Sequence, residues 1–110
     1  MYEYRAKVVR WVDGDTVDVD IDLGFGVILS NKRVRLYGID APESRTRDLE
    51  EKRLGKAAHH FVEGFAPTGS VVTLKTYKTG KFGRILAEVL LDGANINQLL
   101  VSEGHAIPYS

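Results

Sequence analysis

The sequence predicts a mainly β fold of the α+β class. It is a five-stranded barrel with one helix between the third and fourth strands and a short helix near the C-terminal end. Three observations carry that prediction. Residues 16–23 (TVDVDIDL) alternate strictly between apolar or β-branched and acidic side chains, the period of a half-buried strand. Residues 48–66 change to a helical period. Four further runs rich in β-branched residues lie outside that helix, two before it and two after.

In chain order, residues 4–12 form the first strand around Val8 and Val9, and Asp13-Gly14 supplies a turn or bulge. The second strand places Val17, Val19, Ile21 and Leu23 on one face, leaving Asp18, Asp20 and Asp22 on a solvent face. GFGVILSN at 24–31 reads as a long hairpin connection, with Gly24 and Gly26 able to take positive φ, into a third strand at KRVRLYG, 32–38. An extended, packed hairpin, a partner surface or a wedge against a substrate would each account for its Phe25, Val27, Ile28 and Leu29. In 48–66, Leu54, Ala57, Ala58, Phe61, Val62 and Phe65 fall on one stripe; Asp48 with Glu51 resembles a capping box, and Pro67 with Gly69 ends the helix. Strands follow at 70–77 and 84–91, then a helix at 96–103 that stops at Gly104. Three strands, a helix, two strands and a helix is the order of an OB-fold, a barrel that commonly binds oligonucleotides.

The 110 residues are read as one domain, 1–110, with 44% hydrophobic and 27% charged side chains, the balance of a globular chain. The absence of cysteine excludes disulfides, thiolate metal sites and cysteine nucleophiles. Glu3, Arg5, Lys7 and Arg10 interrupt the first dozen residues, so these contain no apolar signal-peptide core, and no run reaches the roughly 18 apolar residues that span a bilayer. The expectation is a soluble chain without a membrane partner, its compartment left open. A net charge of zero argues against holding nucleic acid by bulk charge. The distribution is uneven: five Asp and no base stand between Asp13 and Asp22, whereas 32–35 (KRVR) and 75–84 (KTYKTGKFGR) are basic without an acid. Separate acidic and basic blocks fit a metal beside an anion site.

Three segments mix acids, arginines and residues that bend the backbone: D-G-D-T at 13–16, R-L-Y-G-I-D-A-P-E at 35–43 and F-G-R at 82–84. Each alone reads equally as turn chemistry or an exposed strand arginine. In the second, Pro42 fixes the chain just after Asp40 and Ala41, and Glu43 follows, so one rigid bend presents an Asp, a carbonyl and a Glu. The acids of 13–22 lack the glycine and final glutamate of an EF-hand loop. His59 and His60 fall off the apolar stripe and read as surface residues; Trp11 and Tyr37 read as barrel or rim packing. Asp13 is read as a turn residue in preference to an acid supporting a metal.

Several ordered motifs occur together: V-D-G-D-T at 12–16, V-R-L-Y-G-I-D-A-P-E at 34–43, G-K-A-A at 55–58, K-F-G-R-I-L-A at 81–87 and N-Q-L-L-V-S-E-G-H-A at 97–106. Over nearly its whole length the chain resembles the staphylococcal (micrococcal) nuclease family, thermonuclease-like enzymes on an OB-fold. The resemblance implies a metal-dependent endonuclease with little sequence selectivity, acting on DNA, with RNA left open as a second substrate, and leaving 3′-phosphate ends. It implies that Asp15, Asp40 and the backbone carbonyl of Ala41 hold one Ca2+, that Glu43 orients or deprotonates the attacking water, and that Arg35 and Arg84 pair with the phosphate. It gives Asn97 a structural role, tying the second helix to a loop.

The familiar D-x-Y-G-R segment is here Gly80-Lys81-Phe82-Gly83-Arg84. Phe82 in place of tyrosine removes a hydroxyl that would bond a phosphate but keeps a ring for stacking, and Lys78 and Lys81 are read as compensating cations. Tyr109 is read as a further nucleotide contact. The family's third helix has no counterpart in these 110 residues, and the oligomeric state is left open between monomer and dimer. The competing readings are a noncatalytic OB-fold module for nucleic acid or peptide, and a protein-interaction domain using the 23–29 hairpin. Retention of Asp15, Arg35, Asp40, Glu43 and Arg84 favours the enzyme.

Overall fold

The computed structural model describes residues 2–77 and 84–109. Its elements are β1 (Tyr2–Asp13), β2 (Thr16–Gly24), β3 (Val27–Leu36), β4 (Ile39–Asp40), α1 (Leu49–Phe65), β5 (Val71–Thr76), β6 (Ile85–Leu91), β7 (Ala94–Asn95), α2 (Ile96–Ser102) and β8 (Ile107–Pro108). The strands β3-β2-β1-β5-β6 run side by side in antiparallel pairs, and parallel pairing of Val34–Leu36 with Ile85–Ala87 joins the last strand to the first. Among the described residues, this closes a five-stranded mixed barrel, the predicted OB-fold of the α+β class.

The barrel closes because each strand puts β-branched or small apolar residues inward at period two. Val8, Val17, Val19, Val34, Leu36, Val72, Leu74, Ala87 and Val89 are buried there. Simple alternation along β1 would turn Trp11 away from Ala6 and Val8. A register shift between Val8 and Arg10 corrects it, so Trp11 is buried and its indole N–H donates to the Ala66 carbonyl at 2.8 Å, where α1 ends.

Helix α1 begins as predicted: the Asp48 carboxylate accepts from the Glu50 and Glu51 N–H groups at 3.0 and 3.1 Å. The Asp48 N–H, which Glu51 would bond in a full capping box, donates instead to the Thr46 hydroxyl. The buried row is Gly55, Ala58 and Val62, with Phe61 and Phe65 partly covered; Leu54 and Ala57, assigned to the stripe, are exposed. The helix is rotated toward its glycine because two loops lie directly on it, as described below.

Two further expectations are corrected. The 24–31 connection is not a long loop: β3 starts at Val27, after a two-residue turn in which Phe25 has φ of 56° between Gly24 and Gly26, both also positive. The hairpin is extended but not packed, since Leu23, Val27, Ile28 and Leu29 are 37–51% exposed and Phe25 is wholly so. Beyond Ile21 the ribbon outruns the barrel, and its inward-facing positions have no core to enter.

Asp18 is the second correction. It is 3% exposed, held between Arg10 Nε at 3.0 Å and Arg33 Nε at 2.9 Å, with Arg33 Nη2 at 3.3 Å. Alternation gives it the outer face, but cross-strand register places Arg10 and Arg33 directly opposite on either side, and their side chains cover it. The hydrogen bond from Arg33, joined by that from Arg10, holds the Asp18 carboxyl below the usual carboxylate range despite its burial. A lowered native pKa means that the unfolded chain binds the proton more readily, so this stabilisation is present above the ordinary carboxylate pKa of about 3.9 and fades as pH falls through the native value. Asp18→Asn should therefore cost about 1–2 kcal/mol at neutral pH, a figure discounted because both arginines are more than half exposed. Urea unfolding of the two proteins should show midpoints that converge toward low pH; a gap independent of pH would count against the ion pairs as its source.

Candidate functional site

Four of the five singled-out charged residues lie on three pieces of backbone brought together at one end of β3. The first piece is the 13–16 turn between β1 and β2. Asp15 is 6% exposed, and its carboxylate accepts from the Ala41 N–H at 2.9 Å and the Thr16 hydroxyl at 3.0 Å. The second is β3, whose Arg35 guanidinium donates to Asp15 through Nη1 and to Asp40 through Nη2, the latter at 3.0 Å. The third is the 39–44 bend. There β4 pairs with β8, Asp40 opposite Ile107, which fixes the Asp40 backbone.

Arg35 is only 18% exposed. Burial pulls its pKa down, but hydrogen bonds and charge from Asp15 and Asp40 outweigh that and hold it above the ordinary arginine value, so it is a cation at every working pH. One guanidinium thus bonds both acids, Asp15 through Nη1 and Asp40 through Nη2. Carboxylate and carbonyl oxygens are hard donors, the kind that suits a divalent cation such as Ca2+. Among the described residues no group of three or more His, Asp or Glu gathers as a metal cluster. The proposed set needs only two carboxylates and a carbonyl.

The glycines that let these loops meet the helix were not singled out from sequence as site residues. A Cβ on Gly14 would stand 2.8 Å from the Ala58 Cβ and 3.3 Å from the Ala41 Cβ. One on Gly55 would stand 2.3 Å from the Glu43 carbonyl oxygen and 2.6 Å from the Ser44 nitrogen. The Glu43–Ser44 peptide thus rests on the bare backbone of α1, and the 13–16 turn packs beside it. Ser44 completes the junction, its hydroxyl and N–H donating to Asp13 at 2.5 and 3.3 Å. Asp13 is therefore more than a turn residue: it ties the Asp15 turn to the Glu43 bend. The G-K-A-A motif was the available signal, since small residues at 55 and 58 mark a helix face approached closely by backbone.

Glu43 is exposed and lines a groove of about 560 Å³ with Asp40 and Ala41, between the start of α1 and the 104–107 segment. Arg35 is not among the groove's lining residues, so Asp40 stands where the acidic groove meets the arginine face of the barrel. Arg84 is exposed, immediately before the strand that pairs with β3. It enters none of the ion pairs among the described residues.

The other assignments divide. Asn97 is buried; its amide donates to the carbonyls of Tyr37 at 2.9 Å and Ala87 at 3.2 Å and its oxygen accepts from Val89 N–H, tying α2 to the barrel wall. Tyr37 is at the rim, stacked on Tyr77 with centroids 4.0 Å apart. His60 is exposed as expected, but His59 is half-buried, with Nε2 2.9 Å from the Trp11 carbonyl oxygen. Tyr109 is exposed, and its N–H donates to the Gly38 carbonyl beside β4. Lys78, Lys81 and Phe82 lie outside the described residues.

A model of the family described as staphylococcal nuclease homologue matches residues 33–110, well over half of the chain. The chain belongs to this family. Among curated proteins, the chain is 33% identical over 108 residues to an uncharacterized endonuclease of Escherichia coli, covering 97% of this chain and 62% of that one. It is 34% identical over 106 residues to a thermonuclease of Staphylococcus hyicus, covering 94% and 59%, and 36% identical over 101 residues to a thermonuclease of Staphylococcus intermedius, covering 90% and 56%. The chain thus spans about half to three-fifths of the length of these relatives. The family match contains the Arg35–Glu43 segment and Arg84; the Asp15 turn lies ahead of it, within the part that aligns with the longer relatives.

Proposed function

We propose that the chain is a Ca2+-dependent endonuclease that hydrolyses phosphodiesters with low sequence selectivity, leaving 3′-phosphate ends on DNA, with RNA a second substrate to be tested. The observation that carries this reading is the meeting of Asp15 and Asp40 on Arg35, next to the bend that holds Glu43. Family membership and the names of the thermonuclease and endonuclease relatives support it.

In this reading Asp15, Asp40 and the Ala41 carbonyl would hold the ion. Bound Ca2+ would supply Lewis-acid stabilisation of charge on the phosphoryl group. Glu43 is solvent-facing and accepts a proton from the water whose oxygen attacks phosphorus. The bond from phosphorus to the 5′-oxygen breaks, and that oxygen takes a proton from solvent, giving a 3′-phosphate and a 5′-hydroxyl. Arg35 and Arg84 meet the nonbridging oxygens, where a planar cationic fork matches the charge that builds in the transition state. Arg35 bonds both acids in this structure, and with a cation held there part of its donor set would be available to the phosphate. Lys78, Lys81, Phe82 and Tyr109 are the proposed nucleotide contacts.

The test has three arms on plasmid and on single-stranded DNA: protein with Ca2+, protein with EGTA, and Glu43→Gln with Ca2+. Degradation is expected in the first, none in the second, and cleavage about a hundredfold slower in the third, with unchanged folding. Cleavage that survives the chelator, or an undiminished Glu43→Gln protein, would overturn the mechanism. Binding without cleavage in any arm would identify a noncatalytic module.

A further inference from the structure

The Arg10–Asp18–Arg33 cluster is larger than a barrel wall needs. One buried carboxylate holds two guanidinium groups, yet these side chains remain 60% and 54% exposed. Arg10 spends one N–H on Asp18 and Arg33 spends two, of the five that each carries. The other donors face outward on a side chain already fixed in direction, which removes much of the entropy cost of holding an anion. The cluster carries a net charge of plus one. Asp20 and Asp22, farther along the same face, stand opposite Lys7 and Arg5, and accept from the Asn31 and Gly24 N–H groups.

Its position relative to the site is fixed by register. Arg10 lies across from Asp18 and Asp18 across from Arg33, so the three form a row over β1, β2 and β3. Arg33 and Arg35 are two apart on β3 and share its outer face, with Cα atoms about 7 Å apart along a strand. A row of guanidinium groups therefore runs from Arg10 through Arg33 to the one that clasps Asp15 and Asp40.

We propose that Arg10 and Arg33, aimed by Asp18, bind backbone phosphates of a single nucleic-acid strand next to the scissile one and lead that strand along the outer face of the barrel to Arg35. Arg10 and Arg33 are binding residues and Asp18 is a positioning residue. The proposal rests on the nuclease reading for the location of the scissile phosphate, but its binding prediction stands without cleavage. Contacts of this kind are sequence-independent, in keeping with low selectivity, and depend on salt because each releases condensed counterions.

The experiment measures binding of a fluorescent single-stranded oligonucleotide by anisotropy across a salt series, with Ca2+ present and Glu43→Gln as background to slow cleavage beyond the time of the measurement. Arg10→Ala and Arg33→Ala are each expected to weaken binding about tenfold and to reduce the slope of log K against log salt by about 0.7, one phosphate contact on a single strand. Arg33→Lys keeps the charge and should restore most of the slope. Asp18→Asn should weaken binding with little change in slope, because both cations remain but lose their fixed direction. In the cleaving protein, losses from the two alanine variants should fall on KM more than on kcat. Circular dichroism and melting of each variant confirm folding, and Arg33→Lys keeps the test decisive if an alanine variant unfolds. Variants that melt lower but keep the parent slope and KM would show a purely structural ion cluster and overturn the proposal, leaving the nuclease reading intact. A parent that binds but never cleaves, with slope lost in the alanine variants, would sustain this path and overturn the nuclease reading. A parent that does not bind nucleic acid overturns both.

Discussion

Arg35→Ala is expected to remove cleavage and much of the stability in one step. The guanidinium is the cation that offsets Asp15, whose side chain is 9% exposed, and it also bonds Asp40, which is half exposed. Without it the Asp15 carboxylate keeps only the Ala41 N–H and the Thr16 hydroxyl, in a place that water scarcely reaches. Leaving a buried charge without its partner typically costs about 3–5 kcal/mol, and losing a donor aimed at developing negative charge costs about 10²–10³ in rate. Urea unfolding without divalent ions should show the first effect. Adding Ca2+ should return part of the lost stability, since a bound cation replaces the missing charge. Asp15→Asn in the same chain should also recover stability, because it removes the charge that was stranded, but should not recover cleavage. Equal stability of the wild type and Arg35→Ala would contradict the burial argument.

Gly55→Ala should damage the site from beneath. The added methyl would meet the Glu43 carbonyl carbon and oxygen and the Ser44 nitrogen within 2.6 Å, and these are backbone atoms with no rotamer to change. The helix or the bend must move. Overpacking of this kind costs about 1–3 kcal/mol, and a shift of roughly 1 Å at Glu43 is enough for a hundredfold loss of rate. The internal control is Gly64→Ala on the same helix, where an added Cβ meets nothing within 4 Å; it should stabilise by up to about 1 kcal/mol and leave cleavage alone. Comparable rates from the two variants would mean that the Glu43 bend is not held by its contact with α1.

The barrel was legible because its strands are unambiguous: 16–23 alternates with polar partners, and the helix differs from it in period. What alternation could not convey is register. It gives Asp18 a solvent-side position correctly, but that Arg10 and Arg33 would both stand opposite and cover it depends on pairings between segments separated by up to 15 residues. The projecting hairpin has the same origin, since apolar residues at 27–29 signal burial only if other elements reach that far. That Asp15, Arg35, Asp40 and Glu43 gather at one place was legible through motif order, whereas Gly14, Gly55 and Ser44 act through contacts between distant backbones. Glycine in a helix reads locally as a weakness, and its use appears only when the opposing loop is seen.

The short pairing of β4 with β8 also has a consequence for the order in which the molecule is made. Asp40 belongs to the first half of the chain, but its strand partner Ile107 and the Asn97 amide that holds the Tyr37 carbonyl belong to the last part. The parallel seam between β3 and β6 is likewise a contact that early residues must wait for. A nascent chain can build the β1–β2–β3 meander and form α1 soon after these segments emerge, since those contacts are local. The strand partner of Asp40 is therefore synthesised about 65 residues after it, so the backbone that carries this acid is fixed later than the meander around it.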